Sequence, residues 1–344
     1  MSTKAVAART GPAFGAADPF GRRAGRMWRS PVARVVGRRL CLAVPLLFVV
    51  SALSFVLSSL APINAVARIL GPSGTAAQKA QLTRQLGLNQ PVYERYWHWV
   101  EHALGGNLGT SYFTNQRVSA LISQRLPVTL SLIIPTVVVM FVLGTAIGVV
   151  SAVRGGGVGR VLDSLSLIGF ALPGFWVGAI LVSFFAVKLH VFPATGYVAL
   201  TQSPGNWARS MVLPVAALAL MPIAVLARQT REAMMDVLAS EHVRMAWANG
   251  IAPRQIVYRL ALKNASMRVV TVGSLQVIGL LTGTLFVEQV FALPGLGSGL
   301  TSAASSGDVP VTQGIVVFFT LIIVVVNLLS DLAYTLLDPR VRPS

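Results

Sequence analysis

Apolar residues dominate six long stretches of the chain, at about 40–60, 128–152, 162–188, 212–228, 270–290 and 312–336. A helix needs about 20 such residues to cross the hydrocarbon core of a bilayer, and each stretch meets or approaches that length. The pattern predicts an all-α membrane protein with six transmembrane helices and both termini on one side. The fourth stretch is the weakest, because Pro214 and Pro222 interrupt it and polar residues follow closely. Two long segments between the spans are too polar to enter lipid: 62–124 after the first span, and 229–269 between the fourth and fifth.

The second of these contains Ser240 to Asn264, the longest polar interruption in the apolar second half. Ser240 suits a helix N-cap, and Glu241 suits the positive end of the helix that follows. Val243, Ala246 and Trp247 fall at i, i+3 and i+4, which makes one face apolar, and Gly250 is placed to end the helix in the left-handed region. A second amphipathic run follows, with Ile256, Leu260 and Lys263 near helical spacing. By spacing alone this is a solvated helical loop or a lever on which another protein pushes. In the segment 62–124, Ala76 to Leu86 reads as a helix ending at Gly87, and Pro91 to Leu104 as a second helix. The latter carries Tyr93, Tyr96, Trp97 and Val100 as a stripe, suited to an interfacial aromatic belt or to a substrate contact.

Composition agrees with the membrane reading. The 344 residues are 54% hydrophobic and 11% charged, against about 25% charged in soluble domains. The formal net charge of +17 does not point to nucleic acid, because the basic residues sit between and beside the apolar stretches. They set orientation instead. Residues 1–37 read as a basic, disordered tail; Arg38 and Arg39 then open the first span. With that tail inside, the inside segments hold about 20 of the 28 Lys and Arg residues, so both termini and the segment 229–269 are expected in the cytoplasm. The first apolar stretch is too long for a secretory signal core and lacks a small-residue cleavage site. Cys41 stands alone within it, which excludes an intrachain disulfide and a cysteine metal site.

Catalytic chemistry is sparse. There is no GxxxxGK[ST] phosphate loop, no HExxH and no GxSxG. His98 and His102 stand at i, i+4, but with no third ligand nearby a solvated face is the better reading. No metal site is expected. Glu288 and Asp331 fall near the ends of spans and Asp163 starts the third, which leaves no relay of carboxylates across the membrane. The GxxxG pairs Gly144/Gly148 and Gly174/Gly178 permit close helix approach. The outcome is a pore-like protein without an engine, not an enzyme. A membrane-embedded enzyme would need a polar constellation at one depth; a channel would need no ATP.

Several motifs together resemble one family, from about Arg38 to Arg342. They are LGLNQPVYERYWHWV (86–100), GNLGTS (106–111), ALPGFWVG (171–178), R-x-x-RxxMxxVL (228–238), VRMAWANGI (243–251), FVEQVFALPGLG (286–297) and NLLSDLAYTLLDPRVR (327–342). The chain is similar to the integral membrane permeases of bacterial dipeptide, oligopeptide and nickel ABC importers, in particular the first of the two permeases paired there. The resemblance implies a type I ABC importer permease fold over 38–342, in the bacterial plasma (inner) membrane. It implies peptide uptake, with nickel chelates or glutathione as alternatives. The implied partners are a second homologous permease, two ATP-binding cassette subunits or one fused pair, and an extracytoplasmic substrate-binding protein. ATP and magnesium would sit on the ATPase subunits and no cofactor on this chain.

By the same resemblance, Glu241, Val243, Arg244, Ala246, Trp247, Ala248, Asn249 and Gly250 form a coupling helix against the ATPase. Ala246 and Ala248 would keep its contact face small, and Arg244 would be its polar anchor. Glu288, Phe291, Pro294, Gly295 and Gly297 would lie near the outer gate and the receptor. The chain departs from the family pattern in four places. Asn107 replaces the usual aspartate, Trp247 an arginine, Asn249 a lysine and Arg268 a proline.

Overall fold

The computed structural model describes residues 31–61, 65–154 and 172–337, with 157, 161 and 164 between them. Its described residues are almost entirely helical. In chain order they form α1 (Pro31–Leu60), α2 (Ala65–Leu70), α3 (Ala76–Gln85), α4 (Val92–Leu104) and α5 (Val118–Arg154). There follow α6 (Gly174–Leu181, continued by a π-helical Val182–Lys188), α7 (Pro204–Leu238) and α8 (Glu241–Ala248). A short turn at Pro253–Gln255 and a π-helical Ile256–Ala261 lead into α9 (Leu262–Val290), and α10 (Leu296–Ser306) and α11 (Val309–Leu337) complete the chain.

Five of these stretches are long and apolar enough to cross a membrane: Val36–Leu60, Val118–Arg154, Pro204–Leu238, Pro253–Val290 and Val309–Tyr334. They coincide with the first, second, fourth, fifth and sixth apolar stretches of the sequence, but most extend well beyond them. Of the third stretch, the apolar helix Gly174–Lys188 is described, and most of 162–171 lies outside the described residues. Of the segment expected as a tail over 1–37, residues 31–37 belong to α1, and 1–30 lie outside the described residues. Proline suits the first helical turn, where its missing N–H costs nothing.

The fourth stretch, weakest in the sequence, is the centre of the bundle. It is a continuous helix of 35 residues with Pro214 and Pro222 inside it, both buried. Of its most apolar window 67% is buried inside the protein, against 17–33% for the other four. Neighbouring helices surround α7, so its interrupted backbone faces protein and not lipid, which is the setting that tolerates proline in a span. The closest neighbour is α5. A Cβ built on Gly144 would stand 2.9 Å from the Leu226 Cβ, and one on Gly148 would stand 2.5 Å from the Thr230 Cβ and 2.6 Å from the Ala227 carbonyl. The Gly144/Gly148 pair is therefore the seam on which α5 touches α7. Gly174 and Gly178 of α6 make looser approaches to Ala217 and Phe291, at 3.4 and 3.2 Å.

Polar side chains tie the outer spans. Gln313, fully buried on α11, donates to the Ser51 carbonyl of α1 at 2.7 Å, and Ser330 donates to Ser274 of α9 at 2.7 Å. At the other end of the same helices the Arg39 guanidinium grips Asp331 with two nitrogens, one of them at 2.8 Å. This bidentate pair satisfies a carboxylate that would otherwise be costly near lipid. On α4, Tyr96 is buried: its hydroxyl lies 2.9 Å from Ser51 Oγ and its ring packs edge-on to Phe48 and Phe55. Tyr93 and Trp97 remain exposed. The aromatic stripe is thus divided, with Tyr96 a packing residue between α4 and α1. His102 turns Nδ1 to the His98 carbonyl of its own helix, at 2.7 Å.

Candidate functional site

The segment Ser240–Asn264 is a compact hairpin between α7 and α9. Helix α8 starts and ends where its sequence predicts, with Asn249 as C-cap and Gly250 following at φ +74°. In that left-handed region a Cβ is strained although no atom crowds it. Ser240 occupies the N-cap position, but its hydroxyl donates back to the Val237 carbonyl and caps nothing in α8. The Val237 carbonyl in the last turn of α7 already accepts from the Ser240 amide at 3.1 Å, and the hydroxyl of the same residue joins it.

Val243, Ala246 and Ile256 are buried together, with Val237, Leu238, Ile251 and Leu260 around them. Ala246 therefore faces into the hairpin and is not part of an outer contact face; its small size lets α8 lie close to the π-helical turn. Lys263 departs from the predicted face as well and is exposed. The π-helical turn adds one residue per turn, so the buried positions run Ile256, Ala261, Ala265, Val269.

With Val243 and Ala246 inward, Glu241, Arg244, Trp247, Ala248, Asn249 and Gly250 are outward. So is Met245, which the sequence reading passed over although it is 66% exposed. Its signal was available: on a helix, position 245 lies some 200° round from position 243, so one inward residue implies the other outward. The exposed surface thus carries Arg244 and Ala248 at its middle, with Met245 on one flank and Trp247 on the other, a mixed apolar and cationic surface. A flexible thioether and an indole are residue types suited to contact another protein.

The hairpin is braced from behind. Arg268 of α9 reaches Asp236 at 3.2 Å and Glu232 at 3.4 Å on α7, and Arg228 pairs with Glu232 at 3.0 Å. Arg268 thereby links the two helices that bear the hairpin. The pairs are well exposed, so each contributes on the order of 0–1 kcal/mol. Arg268→Ala is expected to leave assembly intact and shift the melting temperature by only a few degrees, read by thermal scanning in detergent.

At the far end of α9, Glu288 is fully buried. Its Oε1 accepts from Thr129 Oγ1 of α5 at 2.8 Å, and its Oε2 accepts from the Ser298 amide at 2.8 Å. Thr129 Oγ1 in turn accepts from the Leu296 amide at 2.8 Å. Gly295 and Gly297 are required there: a Cβ on Gly295 would stand 2.3 Å from the Glu288 carboxyl carbon, and one on Gly297 would stand 2.9 Å from the Leu285 Cα. Phe291 is buried in the main core beside Ala217 and Leu218, and its carbonyl accepts from the Gly196 amide at 3.1 Å. Pro294 is exposed. Glu288, Phe291, Gly295 and Gly297 thus form one packed corner, and Pro294 is on its rim. Thr129, and Arg125, which donates to the Gly295 carbonyl at 3.2 Å, were not legible as partners. Asn107 uses its side-chain oxygen to accept from the Gly109 amide at 3.0 Å, a bond that an aspartate would also make.

Two family descriptions cover nearly all of the chain. The Binding-protein-dependent transport system inner membrane component matches residues 144–343, and its N-terminal companion matches 32–133. The Probable peptide ABC transporter permease protein y4tP of Sinorhizobium fredii is 38% identical over 306 residues, spanning 89% of this chain and 98% of its own length. The Oligopeptide transport system permease protein AppB of Bacillus subtilis is 33% identical over 315 residues, spanning 90% of this chain and all of its own. Among solved structures, a chain of the inward-facing MetNI methionine ABC transporter shares the fold with TM-score 0.53 at 18% identity, covering 64% of this chain and 97% of that one. The chain belongs to the family of inner membrane components of binding-protein-dependent transport systems.

Proposed function

We propose that this chain is one permease subunit of an ATP-driven importer of di- and oligopeptides. It forms half of the translocation pathway and performs no catalysis itself. The observation that carries the reading is the near full-length match to peptide permeases, 89% of this chain against 98% of the first relative. In this reading the third apolar stretch is the sixth span, and the termini and the α7–α9 hairpin face the cytoplasm, supported by the distribution of Lys and Arg. The outward face of α8 seats in an ATPase subunit that binds ATP and magnesium. A second permease completes the pathway, and an extracytoplasmic binding protein delivers the peptide near the Glu288 corner.

Trp247 and Asn249 replace two cations of the usual pattern, so the matching ATPase groove is less acidic and more apolar than in relatives. Reconstitution of the complete complex in proteoliposomes tests the function. Uptake of a labelled di- or oligopeptide is expected only with ATP and the binding protein. Uptake that runs down a gradient without ATP would make the chain a channel, and ATP-driven uptake of glutathione or a nickel chelate in place of peptides would reassign the cargo.

A further inference from the structure

The first three amides of an α-helix have no partner within the helix, and α10 gets none from its own N-cap, because Gly295 has no side chain. Two other helices supply partners. Leu296 donates to Thr129 of α5, and Ser298 donates to Glu288 of α9. Thr129 in turn donates to Glu288, so the two side chains form one acceptor unit across α5, α9 and α10. Both are fully buried. A buried carboxylate is costly unless it is hydrogen-bonded, and here one oxygen accepts from Thr129 and the other from the start of α10.

The placement along α9 gives this cap a mechanical consequence. Helix α9 runs unbroken over 29 residues, about 43 Å, from the α8 hairpin at one end to Glu288 near the other. We propose that Glu288 and Thr129 are positioning residues that fasten α10 to α9 and α5, so that displacement of the hairpin is delivered to α10 at the outer corner. The inference rests on the reading in which an ATPase drives α8. Neither side chain touches the cargo. They keep α10 from slipping on the helix that moves it. The close approach explains why a glycine stands at 295, since any side chain there would push the carboxylate off the Ser298 amide.

The test uses the complete transporter, with Cys41→Ser and a reporter cysteine at the exposed Ala304 of α10. Labelling by a membrane-impermeant maleimide is measured with and without ATP and vanadate, beside peptide uptake and ATP hydrolysis. In the parent, labelling at 304 is expected to change with nucleotide. In Thr129→Val, which keeps the shape and loses both bonds, the change should vanish and uptake fall about tenfold or more, while ATP hydrolysis continues. Thr129→Ser, which keeps the hydroxyl, should restore both, and Glu288→Gln should resemble Thr129→Val. Nucleotide-dependent labelling and uptake at parental levels in Thr129→Val would overturn the proposal. Equal defects in Thr129→Ser and Thr129→Val would overturn it too, as would loss of ATP hydrolysis together with uptake. If instead α8 were not driven by an ATPase, the parent itself would show no nucleotide-dependent change, which separates failure of that reading from failure of this one.

Discussion

Gly148→Leu is expected to prevent folded protein from accumulating, whereas Gly279→Ala on α9 is expected to be silent. The Gly148 Cβ would enter the space of the Thr230 side chain and of the Ala227 carbonyl, at 2.5 and 2.6 Å. A backbone carbonyl cannot swing aside, so α5 must part from α7 along the whole seam. Helix association in lipid has no hydrophobic drive and depends on such close van der Waals approach. Because α7 is the central helix, loss of this contact exposes its prolines and polar residues to lipid. The expected cost is above about 4 kcal/mol, in the range reserved for overpacking and unsatisfied burial. Gly279 has no atom within 4 Å of its Cβ position, and alanine there is neutral or stabilises by up to about 1 kcal/mol through helix propensity. Fluorescence-detected size-exclusion after a temperature ramp reads both. A monodisperse peak of normal melting temperature for Gly148→Leu would show that the seam is not where the bundle is held.

The spans were legible because hydropathy is a local property, and five of them stand where the apolar stretches predict. Their lengths were not. Pro204–Leu238 was shortened to 212–228 because polar residues and prolines read as breaks, when burial against other helices allows both to continue the helix. The α8 hairpin was legible at its ends, through Glu241 and Gly250, and in the burial of Val243. It failed where a register depends on backbone geometry that no side-chain pattern announces. The π-helical turn over Ile256–Ala261 turned Lys263 outward, and the inward side of Ala246 is decided by Ile256, ten residues on. Least legible was the Glu288 corner. Glu288 stood out as a carboxylate in an apolar run, but its partner Thr129 is 159 residues away, in a span where a threonine has no distinguishing pattern.

The two ends share a construction principle. At each, a small or turn-forming residue lets a polar or apolar anchor come close: Ala246 beneath α8, and Gly295 against Glu288. At each, the residues of the anchor are buried, and the residues free to meet a partner are next to them on the rim. Val243 and Ala246 hold the hairpin so that Met245 and Trp247 project; Glu288 and Phe291 hold the corner from which Pro294 projects. A substitution at an anchor and one at its rim should therefore fail in different ways, even two residues apart.

Ala246 and Ala248 make that contrast measurable. Ala246→Glu places a carboxylate among Val243, Ile256 and Leu260 with no cation within the cluster. Burial of an unpaired charge costs several kcal/mol, so the hairpin is expected to open and the protein to lose several degrees of melting temperature. Ala248→Glu and Trp247→Glu add the same charge to the exposed face, where water solvates it. The isolated permease should then melt as the parent does, because single exposed changes usually stay within about 0.5 kcal/mol. If α8 seats in an apolar ATPase groove, the charge is desolvated only on assembly. Peptide uptake by the complex is then expected to fall by about a hundredfold, equivalent to roughly 2.7 kcal/mol lost at one contact. Gly250→Val should fall between the two, because it strains a left-handed turn without removing a contact. Co-purification of the ATPase with each variant, beside the melting temperature of the permease alone, separates the cases. Parental uptake and co-purification in both Trp247→Glu and Ala248→Glu would show that the ATPase seats elsewhere, and the exposed face of α8 would revert to a solvated loop.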